Sequence, residues 1–252
     1  LIMKPPCNAH VTVNEIDSSI FGKRVLDIRN FDSSTDIAAL EAGSILPLQP
    51  WYVCCKIPSS DCAGIHLLES AGFRYVETQL VLSFRVKSLY PSNPFPQYIF
   101  EEVCDHETLS RVIDIATSSI IDDRIANDPL LGPLYAGKRY GAYLARSMES
   151  PDQHLYALKN GQNGDIVGFK SHRYLPDGSV QLLLGGLRDD CKGSGLAPLL
   201  EHLEFSTLLA AGIKRGVTAV SARNLAIMNL EIAGFGFKVK ESLVVLRKMY
   251  AT

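Results

Sequence analysis

The chain is short of anything that would tie it to a membrane, to nucleic acid or to a metal. No apolar run approaches the roughly 18 to 20 residues that cross a bilayer, and the first residues lack the apolar core of a secretory signal. Neither sign of charge dominates: 25 Lys and Arg stand against 27 Asp and Glu, a net charge of -2, which argues against a polyanion as the main partner. The six cysteines, Cys7, Cys54, Cys55, Cys62, Cys104 and Cys191, form no Cys-x-x-Cys pair and no His-Cys cluster. They read as reduced thiols of a cytoplasmic protein, not as a disulfide frame or a zinc site. What is present is an ordinary globular composition, 46% hydrophobic and 21% charged, over 252 residues, enough for one large domain or two small ones.

Turn residues punctuate that length. Residues 1–10, with Pro5, Pro6 and Asn8, read as a loosely held lead-in. Residues 17–22 (DSSIFG) form a compact segment before an alternating strand at 24–28, and a short helix at 37–42 is expected to end at Gly43. A strand at 52–57 leads through the cap residues Pro58 to Asp61 into a helix at 62–70 and, past Gly72 and Phe73, a strand-rich run at 75–86. Residues 90–96 (YPSNPFP) hold three prolines and mark the best boundary, near residue 92. Beyond it the pattern predicts a strand at 100–104, a helix at 107–120, a polar connection (DDRIANDP), a helix at 135–148, and a hairpin of 156–159 with 166–172. A strand at 180–187, a helix from 196, a strand at 216–220, a helix at 224–232 and a strand at 242–248 follow. Residues 65–86 (IHLLESAGFRYVETQLVLSFRV) parallel residues 228–249 (MNLEIAGFGFKVKESLVVLRKM), which suggests two related halves.

The most informative stretch is 179–203, SVQLLLGGLRDDCKGSGLAPLLEHL. Its apolar run fits a strand covered on both faces, and Leu196, Leu199, Leu200 and Leu203 then recur at helical spacing. Gly193 and Gly195 therefore lie in a strand-to-helix turn, where small residues let backbone N–H groups approach an anion and the helix end adds partial positive charge. A Walker loop would need Gly-Lys-Ser/Thr here, and a dinucleotide fingerprint a third Gly and a later acidic residue; neither is present. A turn that merely ends a strand is the plain alternative.

The spacing Lys192-x-x-Gly195-x-Ala197 resembles the acetyl-coenzyme A pyrophosphate loop of the GNAT superfamily of acyltransferases, with Lys in place of Gln or Arg. Lys keeps the charge of Arg but loses its fork. The resemblance implies an α/β fold: a GNAT-type mixed, mostly antiparallel sheet with helices on both faces. It further implies a catalytic domain at 92–252 preceded by a degenerate GNAT-like half at 1–91. The implied reaction moves acetyl from acetyl-CoA, a co-substrate, to the primary amine of a small molecule, without a metal. DSSIFG, Ala71-Gly72-Phe73, DDRIANDPLL and Asn224-Leu225-Ala226 are similar to the dTDP-fucosamine acetyltransferase-like branch, which implies a nucleotide-linked amino sugar of the dTDP-4-amino-4,6-dideoxyhexose type as acceptor. An amino acid, polyamine or antibiotic amine is the alternative acceptor, and a coenzyme-binding protein without catalysis is the alternative class. A homodimer stays open.

Roles follow from the same resemblance. Leu187, Lys192, Gly193, Ser194, Gly195, Leu196, Ala197 and Asn224 are expected against the coenzyme, with the backbone around Gly186 and Leu187 serving the thioester carbonyl and Gly185-Gly186 forming a bulge. Asn224 suits a helix N-cap equally well. Seven residues on, where the family commonly has a Tyr that protonates the leaving thiolate, this chain has Glu231. Glu231 is an acid at neutral pH only if burial raises its pKa, and a solvated surface carboxylate is the expected reading. The doubled Gly-Phe at 234–237 suggests a one-residue shift that would put Leu230 or Ile232 at that place. Tyr174 and Tyr250 are the nearest other phenols, and spacing assigns neither. Asp122, Asp123, Arg124 and Asn127 are expected to recognise the acceptor's hydroxyl or phosphate groups, or to cap helices. The amine proton is expected to leave through water, His172 or Asp123.

Overall fold

The structure is a computed structural model that describes residues 9–119 and 123–250, with the backbone alone at 133 and 134. The lead-in up to residue 8, Cys7 and Asp122 lie outside the described residues. The first half contributes β1 (His10–Val13), α1 (Glu15–Phe21), β2 (Val25–Arg29), α2 (Ile37–Leu40), β3 (Tyr52–Pro58), α3 (Cys62–Ser70) and β4 (Arg74–Arg85). The second contributes β5 (Tyr98–Glu102), α4 (His106–Ser119), α5 (Pro133–Ser147), β6 (Gln153–Asn160), β7 (Ile166–Tyr174) and β8 (Val180–Leu187). It continues with α6 (Leu196–Ala210), β9 (Arg215–Ser221), α7 (Leu225–Asn229) and β10 (Lys238–Met249). The expected short helix is not ended by Gly43, because α2 passes directly into a π turn, Glu41–Ile45, that contains it.

The ten strands found among the described residues join one sheet in the order β1-β2-β3-β10-β4-β9-β8-β7-β6-β5. Of the described pairs, β2 with β3 and β8 with β9 run parallel and the rest antiparallel, so the sheet is mixed and mostly antiparallel. Helices cover both faces. On one, α4 and α5 bury Val112, Ala116, Tyr140 and Leu144 against Phe169 and Ala157, while Phe21 of α1 packs against Trp51 and Tyr135. On the other, α3 packs Leu68 under Ile57, and α6 packs Phe205 and Leu208 against Val180, Leu82 and Phe84. The stretch 90–96 contains no helix or strand.

The internal repeat has a structural counterpart. Gly72 and Gly236 both take left-handed backbone (φ 91° and 75°) and both precede a buried Phe, so a shift of 164 positions (236 less 72) superposes the two segments. That shift also maps the β4–β10 ladder onto itself. Leu80 opposite Ser242 becomes Thr78 opposite Val244, Val81 opposite Glu241 becomes Glu77 opposite Val245, and Gln79 opposite Leu243 maps onto itself. Even the two register shifts exchange places. The halves have swapped their last strands: β4 pairs with β9 of the second half, and β10 pairs with β3 of the first.

The parallel pairs differ between the halves. β2 and β3 stay matched from Val25 opposite Tyr52 to Ile28 opposite Cys55, nearly the whole of β2. β8 and β9 are matched only at Val180 opposite Gly216 and Gln181 opposite Val217. Gly216 sets the closed end, since a Cβ there would lie 2.7 Å from the Val180 carbonyl oxygen.

Ion pairs fasten the halves across one face. Asp17 of α1 accepts from Arg124 Nη2 at 2.5 Å and Arg139 Nε at 2.7 Å, and Asp128 accepts from Arg247 of β10 at 2.9 Å and from the Tyr52 hydroxyl at 3.4 Å. All are buried or nearly so, and removing one partner of such a pair typically costs about 3–5 kcal/mol because the other charge is left without compensation.

Candidate functional site

The gap between β8 and β9 is the obvious opening in the sheet. Past Gln181 the strands part, so Leu182 to Leu187 have no ladder partner toward β9 among the described residues. On its other side β8 remains paired with β7, with one irregularity at Leu183 rather than at the expected Gly185-Gly186 bulge. Ser171 bridges it, accepting from Leu184 N–H at 3.1 Å and donating to Leu184 C=O at 3.3 Å. The glycines have a different cause: a Cβ on Gly186 would come within 2.7 Å of Ser119 Oγ at the end of α4, and one on Gly185 within 2.6 Å of the Lys170 side chain.

The turn that follows opens onto the same edge. Residues Asp189–Cys191 make a 3-10 turn, Gly193 and Gly195 take φ of 77° and 84°, and α6 then starts on Gly195 with no side-chain cap. Its first N–H groups are therefore free to meet an anion, and Lys192 to Gly195 are exposed. Lys192 Nζ meanwhile sits 2.6 Å from Asp189. Leu196 is buried against Leu199 and Leu200, so only its backbone can serve a ligand. α7 begins at the open end of β9, where Asn224 Oδ1 accepts from Ile227 N–H at 3.2 Å, the capping role that its residue type allowed.

Glu231 is not a surface carboxylate. It is 6% exposed, and burial pushes its carboxyl up to about 7, against the pull of Lys170 and with added push from Glu201 and Glu204. The cause is a π turn, Leu230–Gly234, continuing α7. Phe73 lies twelve positions beyond the capping Asp61 in the first half; Phe237 lies thirteen beyond the capping Asn224 in the second. The extra residue is absorbed by the π turn, the way a single insertion is carried in a helix. Leu230 and Ile232 pack into the neighbouring apolar core and leave Glu231 facing the charged groups.

Those groups centre on Lys170, a residue that the hairpin strand gave no reason to single out. Its ammonium lies 2.6 Å from Glu201 and 3.1 Å from Glu204, both on α6, and these carboxylates hold its pKa above the ordinary lysine value. His172 Nδ1 is 3.2 Å from Glu204 Oε1, and the ring is fully buried. Burial drives Glu201 up, whereas Lys170 and His172 hold Glu204 below the usual carboxylate range despite its burial. His172 thus belongs with Glu231 on the α6 face, not with Asp123. Among the described residues no group satisfies Glu231 Oε2, Glu201 Oε1 or His172 Nε2.

The residues expected on the acceptor side are differently employed. Arg124 is committed to Asp17, and Asp123 accepts from the N–H groups of Ile125 and Ala126 and from Arg139 Nη1 at 3.2 Å. Asn127 is nearer the gap: it accepts from Arg223, the residue before Asn224, at 3.0 Å, and its Nδ2 has no partner among the described residues. Leu187 ends β8, residues 192–197 form the turn into α6, and Asn224 follows the end of β9, whereas the bonds of Asp123 and Arg124 run to Asp17, Arg139 and the backbone of Ile125 and Ala126. Glu77 on β4 went unnoticed in the sequence, though a lone carboxylate amid an apolar strand was a visible signal. Tyr250 bonds to Glu41 in the first half, far along the chain from the gap.

No family model matches the chain, and no curated protein matches it. Solved structures do. A GCN5-related N-acetyltransferase from Sphaerobacter thermophilus is 17% identical, covers 96% of this chain and 76% of its own, and superposes with a TM-score of 0.66. A GCN5-related N-acetyltransferase from Kribbella flavida is 14% identical with a TM-score of 0.60, over 90% of this chain and 82% of its own. A tandem GNAT protein from the clavulanic acid biosynthesis pathway is 10% identical with a TM-score of 0.63, over 90% and 76%. The fold of this chain is that of the GCN5-related N-acetyltransferases, built in two halves.

Proposed function

We propose that the chain is a coenzyme A-dependent N-acetyltransferase acting on a small primary amine. The observation that carries this reading is the parting of β8 from β9 beside an uncapped 15-residue helix entered through two left-handed glycines. An apolar slot with free backbone groups leads into a cluster of N–H donors, which suits a long thioester ending in a diphosphate. Acetyl-CoA would supply an activated acetyl thioester. The N–H groups of residues 195–197 hold the diphosphate, and the backbone of Gly186 and Leu187 is available to the thioester oxygen. Glu231, protonated in part at neutral pH, keeps a proton on a carboxyl oxygen for the sulfur that leaves. That property favours an enzyme over a coenzyme-binding protein without catalysis.

The amino-sugar acceptor rests on the likeness of DSSIFG, Ala71-Gly72-Phe73, DDRIANDPLL and Asn224-Leu225-Ala226 to the dTDP-fucosamine acetyltransferase-like branch. Asp123 and Arg124 are engaged in ion pairs, whereas Asn127 and Arg223 bond to each other just beyond the end of β9. Thiol release from acetyl-CoA, followed across nucleotide-linked amino sugars, amino acids, polyamines and aminoglycosides, separates the acceptors. Turnover on none of them, with coenzyme bound, would overturn the reading. Gly195→Val forces a branched side chain into left-handed backbone, at about 1–2 kcal/mol. Its coenzyme Kd, measured by calorimetry, is expected to rise about tenfold.

A further inference from the structure

We propose that Glu77, carried into the second half's sheet by the exchanged strand β4, is the group that takes protons from the acceptor amine. This rests on the reading of the chain as an N-acetyltransferase. β4 lies antiparallel to β9 with Gln79 opposite Ser221, the last residue of β9. Glu77 is two residues further along, so its side chain leaves the same face as those of Gln79 and Ser221, at the end where β8 and β9 have parted. That is the face covered elsewhere by α4 and α5, opposite the one that holds Glu231 and Lys170. A proton acceptor and a proton donor thus flank the gap from opposite sides of the sheet.

The surroundings of Glu77 fit a working group better than a structural one. It is 1% exposed, bonds to Ser221, and leaves Oε2 without a partner among the described residues. A buried carboxylate oxygen with no donor costs stability, so strands rarely carry one without a use. The charged and titratable groups acting on it are Asp123 and Arg124 from the connection before α5, Lys56 from β3, and Tyr140 of α5. Burial raises its carboxyl above the ordinary glutamate range, with Asp123 pushing the same way and Ser221, Lys56 and Arg124 opposing, which makes the carboxylate a stronger base.

The proton balance is complete. The incoming ammonium gives one proton to Glu77, which passes it to solvent, and the neutral nitrogen bonds to the thioester carbon. As the C–S bond breaks, the nitrogen's second proton goes to the emptied Glu77 carboxylate and the sulfur takes one from Glu231. Glu77 passes this second proton to solvent as well and Glu231 is recharged from solvent, so one proton per turnover is released overall.

The test compares the parent with Glu77→Gln, which keeps the Ser221 contact and removes the base. Thiol release is followed across pH with an alkyl amine, protonated at pH 7, and with hydroxylamine, which is neutral there. The expected result is a fall in kcat/KM of about 100-fold or more for the alkyl amine, with much smaller loss for hydroxylamine, and a coenzyme Kd within twofold of the parent's. Equal loss toward both amines, or an alkyl-amine pH profile that keeps the parent's acidic limb and rate, would overturn the assignment. A melting temperature at or above the parent's shows that the variant folds. A parent that binds coenzyme but releases thiol with no amine overturns the transferase reading and the role of Glu77 with it.

Discussion

A polypeptide cut to residues 92–252 is expected not to fold on its own. It keeps the site's loop and its helices but loses β4, which lies between β10 and β9 in the middle of the sheet. With β4 go Leu82 and Phe84 from the core under α6; Phe84 stacks on Phe237 at 4.5 Å and on Phe205 at 5.3 Å. Removing a single buried Phe costs about 3–5 kcal/mol, a large part of the roughly 5–15 kcal/mol that holds a domain together. The cut also strips Asp17 from Arg124 and Arg139, leaving two guanidinium groups with less than their share of countercharge. β9 would present one unpaired edge, and β10, flanked by β3 and β4, would lose both its neighbours, which leaves templates for aggregation. Thermal melting and size-exclusion chromatography of the fragment provide the measurement, with residues 1–91 added in trans as the complement. A cooperative melt of the isolated fragment near the parent's temperature would show that the shared sheet is dispensable.

The second large effect is expected at Glu231. Its folded carboxyl is raised to about 7 from 4.5, so the unfolded chain ionises first. Stability from this group is therefore fully present below about pH 4.5, is lost as pH rises toward 7, and stays lost above. The span amounts to at most about 3 kcal/mol. Glu231→Gln removes the penalty. Relative to the parent, the variant is expected to gain little at pH 4 and up to that amount at pH 8, roughly 5 to 10 °C in melting temperature for a chain of this size. The same change takes away the proton for the leaving sulfur, and kcat is expected to fall about 100-fold. In the parent that acid step fades as pH climbs through about 7, giving a basic limb that the variant lacks. Calorimetry at the two pH values and thiol release on the same samples check both halves. A variant less stable than the parent at pH 8 would mean that ionised Glu231 is sustained by Lys170.

Local pattern made most of the elements and the loop legible before any coordinates. Left-handed glycines, a capping Asn and leucines at helical spacing are local signals, and all three stand where the sequence put them. The repeat was legible too, but not the exchange of strands, because an alternating strand specifies its faces and not its neighbours. Asp123 and Arg124 looked like ligand-facing charges for the same reason. Their partners Arg139 and Asp17 lie 16 and 107 positions away in sequence, and no local rule links them. The sequence reads Glu231 as solvated because a lone helical carboxylate ordinarily faces water; what buries it beside Lys170, Glu201 and Glu204 is tertiary packing that no local pattern displays. Lys170 and Glu77 sit in strands, where a single charge reads as an edge or surface position until the opposite wall is seen.

The ladder between β4 and β10 has a symmetry of the kind seen between two copies of one protein. Residue i of one strand meets residue j of the other, and the equivalent of j meets the equivalent of i, the definition of an isologous contact. Here the contact is closed within one chain, as though a strand-swapped homodimer had been fused. The two members differ in one respect: β2 and β3 are zipped together where β8 and β9 part, so one holds an opening and the other is closed. The self-complementary surface is consumed internally, and a second molecule would have to dock elsewhere, at the outer strands or on the helices.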